Sequence, residues 1–156
     1  MPPLSNNLSS LPGPIGVFDS GYGGLTVLRE IMSLMPGYDY LYLGDNARAP
    51  YGSRSFECVY EFTRQCVGRL FSMGCHLVVL ACNTASAKAL RTIQQKEMHR
   101  FDPSFRVLGV IRPTVEIISN YSKTNAIGLL ATEGTVKSNS YIIELQKHAP
   151  AVTLYQ

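Results

Sequence analysis

The chain has 156 residues, 46% of them hydrophobic and 16% charged, with a formal net charge of +3. That composition excludes a disordered chain and describes one that folds around an apolar core, with length for one domain or for one domain and part of another. Lys and Arg are scattered rather than clustered, which leaves no footprint for nucleic acid, and no run approaches the roughly 20 apolar residues of a membrane span.

Residues 1–13 are rich in Pro, Ser and Asn, lack periodicity and read as a flexible tail. A first strand is expected over 14–18, ending in Asp19 and Ser20, with Gly21, Gly23 and Gly24 making a tight loop. Leu25, Leu28, Ile31 and Met32 then recur at helical spacing until Pro36 and Gly37 stop the helix. Residues 38–43 form a second strand, followed by a long loop over 46–54 that carries Arg48, Pro50, Tyr51, Gly52 and Arg54. Ser55 is positioned to cap a helix whose apolar face is Val59, Thr63, Val67, Leu70 and Phe71, ended by Gly74. Cys75 and His76 open a third strand. Its run Leu77, Val78, Val79, Leu80 is continuous and β-branched in the middle, as in a strand covered on both faces. Cys82 falls at the carboxyl end of that strand, with Asn83 or Thr84 as the cap of a helix reaching to about Met98. After a break at 101–104 come a fourth strand over 106–111, a helix with Pro113 in its first turn, a fifth strand over 125–130, a helix over about 136–148 and a sixth strand over 152–155.

Alternating strands and helices with short connections imply a parallel α/β fold. Six strands are compatible with one doubly wound sheet. They are equally compatible with a first α/β domain over 14–100, carrying Asp19 and Cys82, and the incomplete start of a second over 101–156.

In either arrangement the loops after the first three strands share the carboxyl edge of the sheet, where such folds bind ligands. This gathers Asp19, Ser20 and Gly21, the 46–54 loop, and Cys82, Asn83 and Thr84. The Gly-rich loop lacks G-x-G-x-x-G and has no Walker Lys, so a small carboxylate suits it better than a pyrophosphate; a tight turn with no ligand remains the alternative. The four cysteines include no C-x-x-C pair and no His stands at ligand spacing, so no zinc site is expected. The N-terminus has no features of a secretory leader, so free thiols in a reducing cytoplasm are the expectation. Cys58 and Cys66 read as packing residues. Cys82 reads either as a buried core thiol or as a reactive group beside the positive end of a helix. His76 lies at the opposite end of its strand, and His99 and His148 lie at the far ends of helices, which disfavours Cys–His hydrolase chemistry. A thiol acting as a proton-transfer base, assisted by Asp19, fits the residue types better.

Four segments also carry a resemblance. Ile15 to Leu28, with Asp19-Ser20-Gly21-Tyr22-Gly23-Gly24 at its centre, is similar to the opening motif of glutamate racemases. Leu43 to Gly52 resembles their second motif, and Ala81 to Ala87 their first catalytic cysteine motif. Gly128 to Tyr141, with Thr132, Thr135, Ser138 and Asn139, resembles a segment of their second domain. The resemblance implies a flavodoxin-like racemase domain followed by the first half of a second, similar domain. It implies a cofactor-independent isomerase that interconverts L- and D-glutamate for peptidoglycan synthesis in the cytoplasm, using two thiols on opposite faces of the substrate Cα. By motif position Cys82 is one acid/base thiol and Asp19 assists it, while Ser20, Tyr51, Gly52, Asn83, Thr84 and Thr135 contact substrate. The role of Arg48 stays open. The resemblance implies glutamate as the small-molecule partner and leaves room for a homodimer, while the charge distribution, cysteine spacing and apolar runs already noted lead to an expectation of no nucleic acid, no metal and no membrane. The family's second cysteine lies in a Leu-Gly-Cys-Thr-His type motif that these residues do not contain, so this chain alone is expected to be inactive. Racemisation of aspartate or another acidic amino acid, or carboxylate binding by a truncated non-catalytic paralogue, are the alternatives.

Overall fold

A computed structural model describes residues 13–156, so all but the last residue of the expected tail lies outside the described residues. Among the described residues six strands are separated by single helices or helix pairs, seven α-helices in all: β1 (Ile15–Asp19), α1 (Gly24–Leu34), β2 (Tyr40–Gly44), α2 (Phe56–Ser72), β3 (Leu77–Leu80), α3 (Asn83–Lys88), α4 (Leu90–Lys96), β4 (Arg106–Gly109), α5 (Ile111–Tyr121), β5 (Ala126–Gly128), α6 (Glu133–Lys137), α7 (Ser140–His148) and β6 (Thr153–Tyr155). Short 3-10 turns occupy Asn46–Arg48, inside the expected long loop, and Met98–Arg100.

The strands form two parallel sheets. The first has the order β2-β1-β3-β4 and the second pairs β5 with β6. The α/β class and the parallel sheet flanked by helices are as expected. The six strands do not form a single doubly wound sheet, and the first sheet does not stop before residue 101. Arg106 to Gly109 pair in register with Leu77 to Leu80, so β4 extends the first sheet beyond the break at 101–104. Phe101 and Phe105 hold that break against the core: their rings each lie 4.8 Å from that of Phe71. An aromatic cluster of this kind is invisible to local patterning.

Strand β1 is the axis of the fold. Its five residues are all buried, with β2 on one side and β3 on the other. Leaving β1, the chain winds outward to β2, then crosses back over β1 to β3. That reversal opens a crevice at the carboxyl ends of β1 and β3. Right-handed crossovers put α1 on one face and α2, α3 and α4 on the other. The main core lies beneath α2, where Phe18, Val59, Val67, Leu70, Val78, Leu80 and Ile93 are buried together; each side chain of this kind contributes about 1.5–3 kcal/mol on burial. Ser55 caps α2 as expected, its Oγ accepting the Cys58 amide at 3.2 Å. A second apolar cluster of Ile111, Val115, Tyr141, Leu145 and Ala149 joins α5 to α7 and supports β5 and β6.

Two expected helices are interrupted. The one following Cys82 bends at Ala89, with φ −113°, although Ala89 N–H still donates to Ala85 and Ile93 N–H to Ala89, so the chain kinks rather than stops. The expected helix over 136–148 is divided by Asn139, whose φ of 55° is left-handed. Asn tolerates that conformation, and apolar periodicity does not register it.

Candidate active site

The carboxyl edge of the first sheet brings together Asp19 and Ser20 from β1 with Cys82, Asn83 and Thr84 from the β3–α3 turn. Asp19 and Cys82 are each 7% exposed. Asp19 is fixed locally, its Oδ2 accepting the Gly21 amide at 3.0 Å. Helix α1 starts directly over it: a Cβ on Gly24 would stand 2.6 Å from the Asp19 Cβ, so only glycine lets the helix begin this close to the carboxylate.

Cys82 is itself the N-cap of α3, in place of Asn83 or Thr84. Its backbone is extended, and its Sγ accepts the Ala85 amide at 3.4 Å. Across the crevice, Ser20 Oγ lies 3.3 Å from the sulfur. The thiol is therefore pointed by its own helix on one side and met by a hydroxyl on the other. Helix geometry leaves the Asn83 and Thr84 amides without intrahelical acceptors at the same edge. Tyr42, from β2, closes the flank with its hydroxyl donating to the Gly21 carbonyl at 2.9 Å. Burial, with Asp19 and Cys82 nearby, pushes the Tyr42 pKa up to about 12, so it stays a protonated donor at neutral pH.

The 46–54 loop is anchored beneath the edge by Asp45, a buried carboxylate that sequence reasoning did not single out. Asp45 Oδ2 accepts the Tyr51 hydroxyl at 2.5 Å and Arg48 Nε at 2.6 Å. Arg48 also donates to Gln65 at 2.7 Å and to Cys66 Sγ at 3.3 Å, and covers the Phe62 ring. Arg48 thus pins the loop. The Tyr51 side chain is 1% exposed and packs between Phe18 and Phe62. Its hydroxyl is occupied, so what this position offers a ligand is backbone. At Gly52 an added Cβ would come within 2.8 Å of the Thr132 side chain, and the Gly52 carbonyl accepts the Gly134 amide at 3.0 Å.

That contact is part of a seam with the second cluster. Thr84 Oγ1 lies 3.0 Å from Thr132 Oγ1 and 3.5 Å from Thr135 Oγ1, and the latter two are 3.1 Å apart. Thr135 is buried within this triad, while Asn83 is exposed and receives the Tyr141 hydroxyl at 2.8 Å. The expected residues fall into two groups: Asp19, Ser20, Cys82 and Asn83 around the crevice, and Tyr51, Gly52, Thr84 and Thr135 packed behind it. Asp45, Tyr42, Thr132 and Tyr141 complete the arrangement. Of these four, Thr132 is named in the Gly128–Tyr141 segment, Asp45 and Tyr141 lie within the segments that carry the resemblance without being singled out, and Tyr42 lies outside them. No His joins the crevice among the described residues: His76 packs on Phe105 and His148 faces Glu144. The described residues hold no cluster of three or more His, Cys, Asp or Glu suited to a metal ion, and no described helix is long and apolar enough to cross a membrane.

No protein-family model matches the chain. A glutamate racemase of Persephonella marina is 43% identical over 142 residues, covering 91% of this chain and 52% of the relative. That of Aquifex aeolicus is 47% identical over 127 residues, 81% of this chain and 48% of its own length. The chain is a homologue of the glutamate racemases. Solved structures agree: a glutamate racemase isoform of Bacillus anthracis superposes with a TM-score of 0.83 at 38% identity, covering 92% of this chain and 52% of that one. The Francisella tularensis glutamate racemase, solved in complex with D-glutamate, gives 0.76 at 37% identity, covering 91% and 51%. This racemase homologue thus spans about half the length of the relatives it matches.

Proposed function

We propose that this chain forms one thiol half of a cofactor-independent glutamate racemase, acting in the cytoplasm to supply D-glutamate for peptidoglycan. Cys82 works on one face of the substrate Cα. As a thiolate it takes the Cα proton and forms S–H, leaving a carbanion delocalised into the adjacent carboxylate. A second thiol then delivers a proton to the opposite face, inverting the centre. In the reverse direction Cys82 donates. Asp19 assists these transfers and receives the substrate ammonium, and Ser20 and Asn83 contact the substrate. The Gly52 backbone contributes from the loop, and Thr84 and Thr135 contribute through the hydroxyl cluster that shapes the rear wall. Residues from about 110 onward begin the second α/β unit, on whose side the second thiol stands.

The observation that carries this reading is the placement of Cys82 Sγ, held between the Ala85 amide and the Ser20 hydroxyl next to a buried carboxylate, at the switch point of the sheet. A polypeptide carrying both thiols should racemise glutamate, measured by circular dichroism of the amino acid. Cys82→Ala in it should lower kcat at least about a thousandfold while leaving the unfolding midpoint nearly unchanged, since a proton-transfer group contributes factors of this order. The 156-residue chain by itself should give no measurable inversion. Undiminished turnover in Cys82→Ala would refute the assignment, and running aspartate alongside glutamate decides the substrate.

A further inference from the structure

The carboxamide of Asn83 has two chemically opposite ends. Its NH2 attracts a carboxylate, and its oxygen repels one. The terminal torsion is soft, so an unrestrained Asn presents either end. Asn83 is exposed and adjoins Cys82 in sequence, so its orientation decides what charge is welcome beside the thiol.

We propose that Tyr141 is a positioning residue that locks Asn83 as a donor. The Tyr141 hydroxyl, reaching across from α7 in the second cluster, donates to Asn83 Oδ1 at 2.8 Å. Its ring is buried among Ile111, Val115 and Leu145, so packing fixes where the hydroxyl sits. Burial also raises the Tyr141 pKa, which keeps the proton on the oxygen at neutral pH. The start of α7 is clipped in place as well: Ser140 Oγ donates to the Ala87 carbonyl at 2.9 Å. With Oδ1 engaged, the Asn83 NH2 is the end left without a protein partner among the described residues. It therefore favours a ligand with a carboxylate next to the thiol. The inference rests on the reading of Cys82 as a group that meets a carboxylate-bearing substrate. It adds that the second cluster, through one hydroxyl, sets the charge preference of the first.

The test needs no turnover. Cys82 on this chain is alkylated with iodoacetate, which carries a carboxylate, and with iodoacetamide, which does not; peptide mass spectrometry separates Cys82 from the other cysteines. Tyr141→Phe should lower the iodoacetate-to-iodoacetamide rate ratio about fivefold, the scale of one hydrogen bond. The iodoacetamide rate itself should stay within about twofold, because a neutral reagent gains little from the Asn83 donor, whereas loosened packing would raise both rates alike and leave the ratio unchanged. Asn83→Ala should lower the ratio as much, and Tyr141→Phe should add nothing in that background. A ratio unchanged in Tyr141→Phe, or unchanged in Asn83→Ala, or lowered further in the double variant, overturns the proposal. If Cys82 resists both reagents, the Asn83 side-chain NH2 resonances decide instead: titration with acetate should shift them in the native chain and shift them much less in Tyr141→Phe, and equal shifts overturn the proposal. Neither reagent is an amino acid, so a failure of the racemase reading would leave the dependence on Tyr141 intact, whereas a failed positioning role would leave racemisation unaffected by Tyr141→Phe.

Discussion

Along β1 every residue is buried, whereas in β5 and β6 only the central residue of each three is even half-covered. Both are parallel strands with helices packed on them. The difference is the number of neighbours. Strand β1 has a strand on either side and helices on both faces, while β5 has β6 beside it and the α5–α7 layer beneath. Parallel strands depend on cover from both faces, and β5–β6 leaves Leu130 and Tyr155 well exposed. The comparison teaches where the rigidity of the site comes from. Asp19, Ser20 and Cys82 are carried by strands with a complete surround, and the less enclosed region meets the adjoining Asn83 and Thr84 through short polar contacts: the Tyr141 hydroxyl and the threonine seam.

Core truncation is the strongest way to break this contrast. Leu70→Ala, at a site with 0% exposure, should cost about 3–5 kcal/mol, and Leu154→Ala, half-covered on β6, about 1–2 kcal/mol. Urea unfolding followed by far-ultraviolet circular dichroism checks both; equal losses would mean that the two regions are equally well packed. Next in size is alkaline pH. Burial pushes the Cys66 thiol from 9.0 up to about 11, with Asp45 adding and Arg48 opposing. Its folded pKa is above its unfolded one, so the unfolded chain loses the proton first as pH rises. The associated stability is complete below about pH 9 and is lost between there and about pH 11, at most roughly 3 kcal/mol. The urea midpoint should fall over that range and fall less in Cys66→Ala. The smallest effect sharpens the seam. Ser55→Ala removes the cap of α2 and should cost about 1 kcal/mol with no consequence beyond that helix. Thr132→Ala removes the cap of α6 at a similar cost, but also a member of the threonine triad. Hydrogen exchange should therefore accelerate at Gly134 and Thr135 in Thr132→Ala, and remain unchanged there in Ser55→Ala.

Much of the framework was legible from local chemistry. The run Leu77 to Leu80 announced a buried strand, the spacing of Val59, Thr63, Val67 and Leu70 announced the buried face of α2, and Ser55 its cap. The motif around Cys82 drew attention to the right edge of the sheet. Periodicity, however, reports only which side of an element is apolar. It did not show that β4 belongs to the first sheet, that Asn139 interrupts a helix, or that Cys82 caps its own helix in place of Asn83.

What the sequence by itself determined is the α/β alternation and the residues that end its strands, because burial pattern, caps and breakers act over a few positions along the chain. What the tertiary structure alone decided is which of those residues face one another. Ser20 and Cys82 are 62 positions apart, Asn83 and Tyr141 58, and Thr84 and Thr132 48. The physical reason is that a hydrogen bond depends on distances near 3 Å. Strand order, crossover hand and core packing set such distances, and none of these is encoded in a local window.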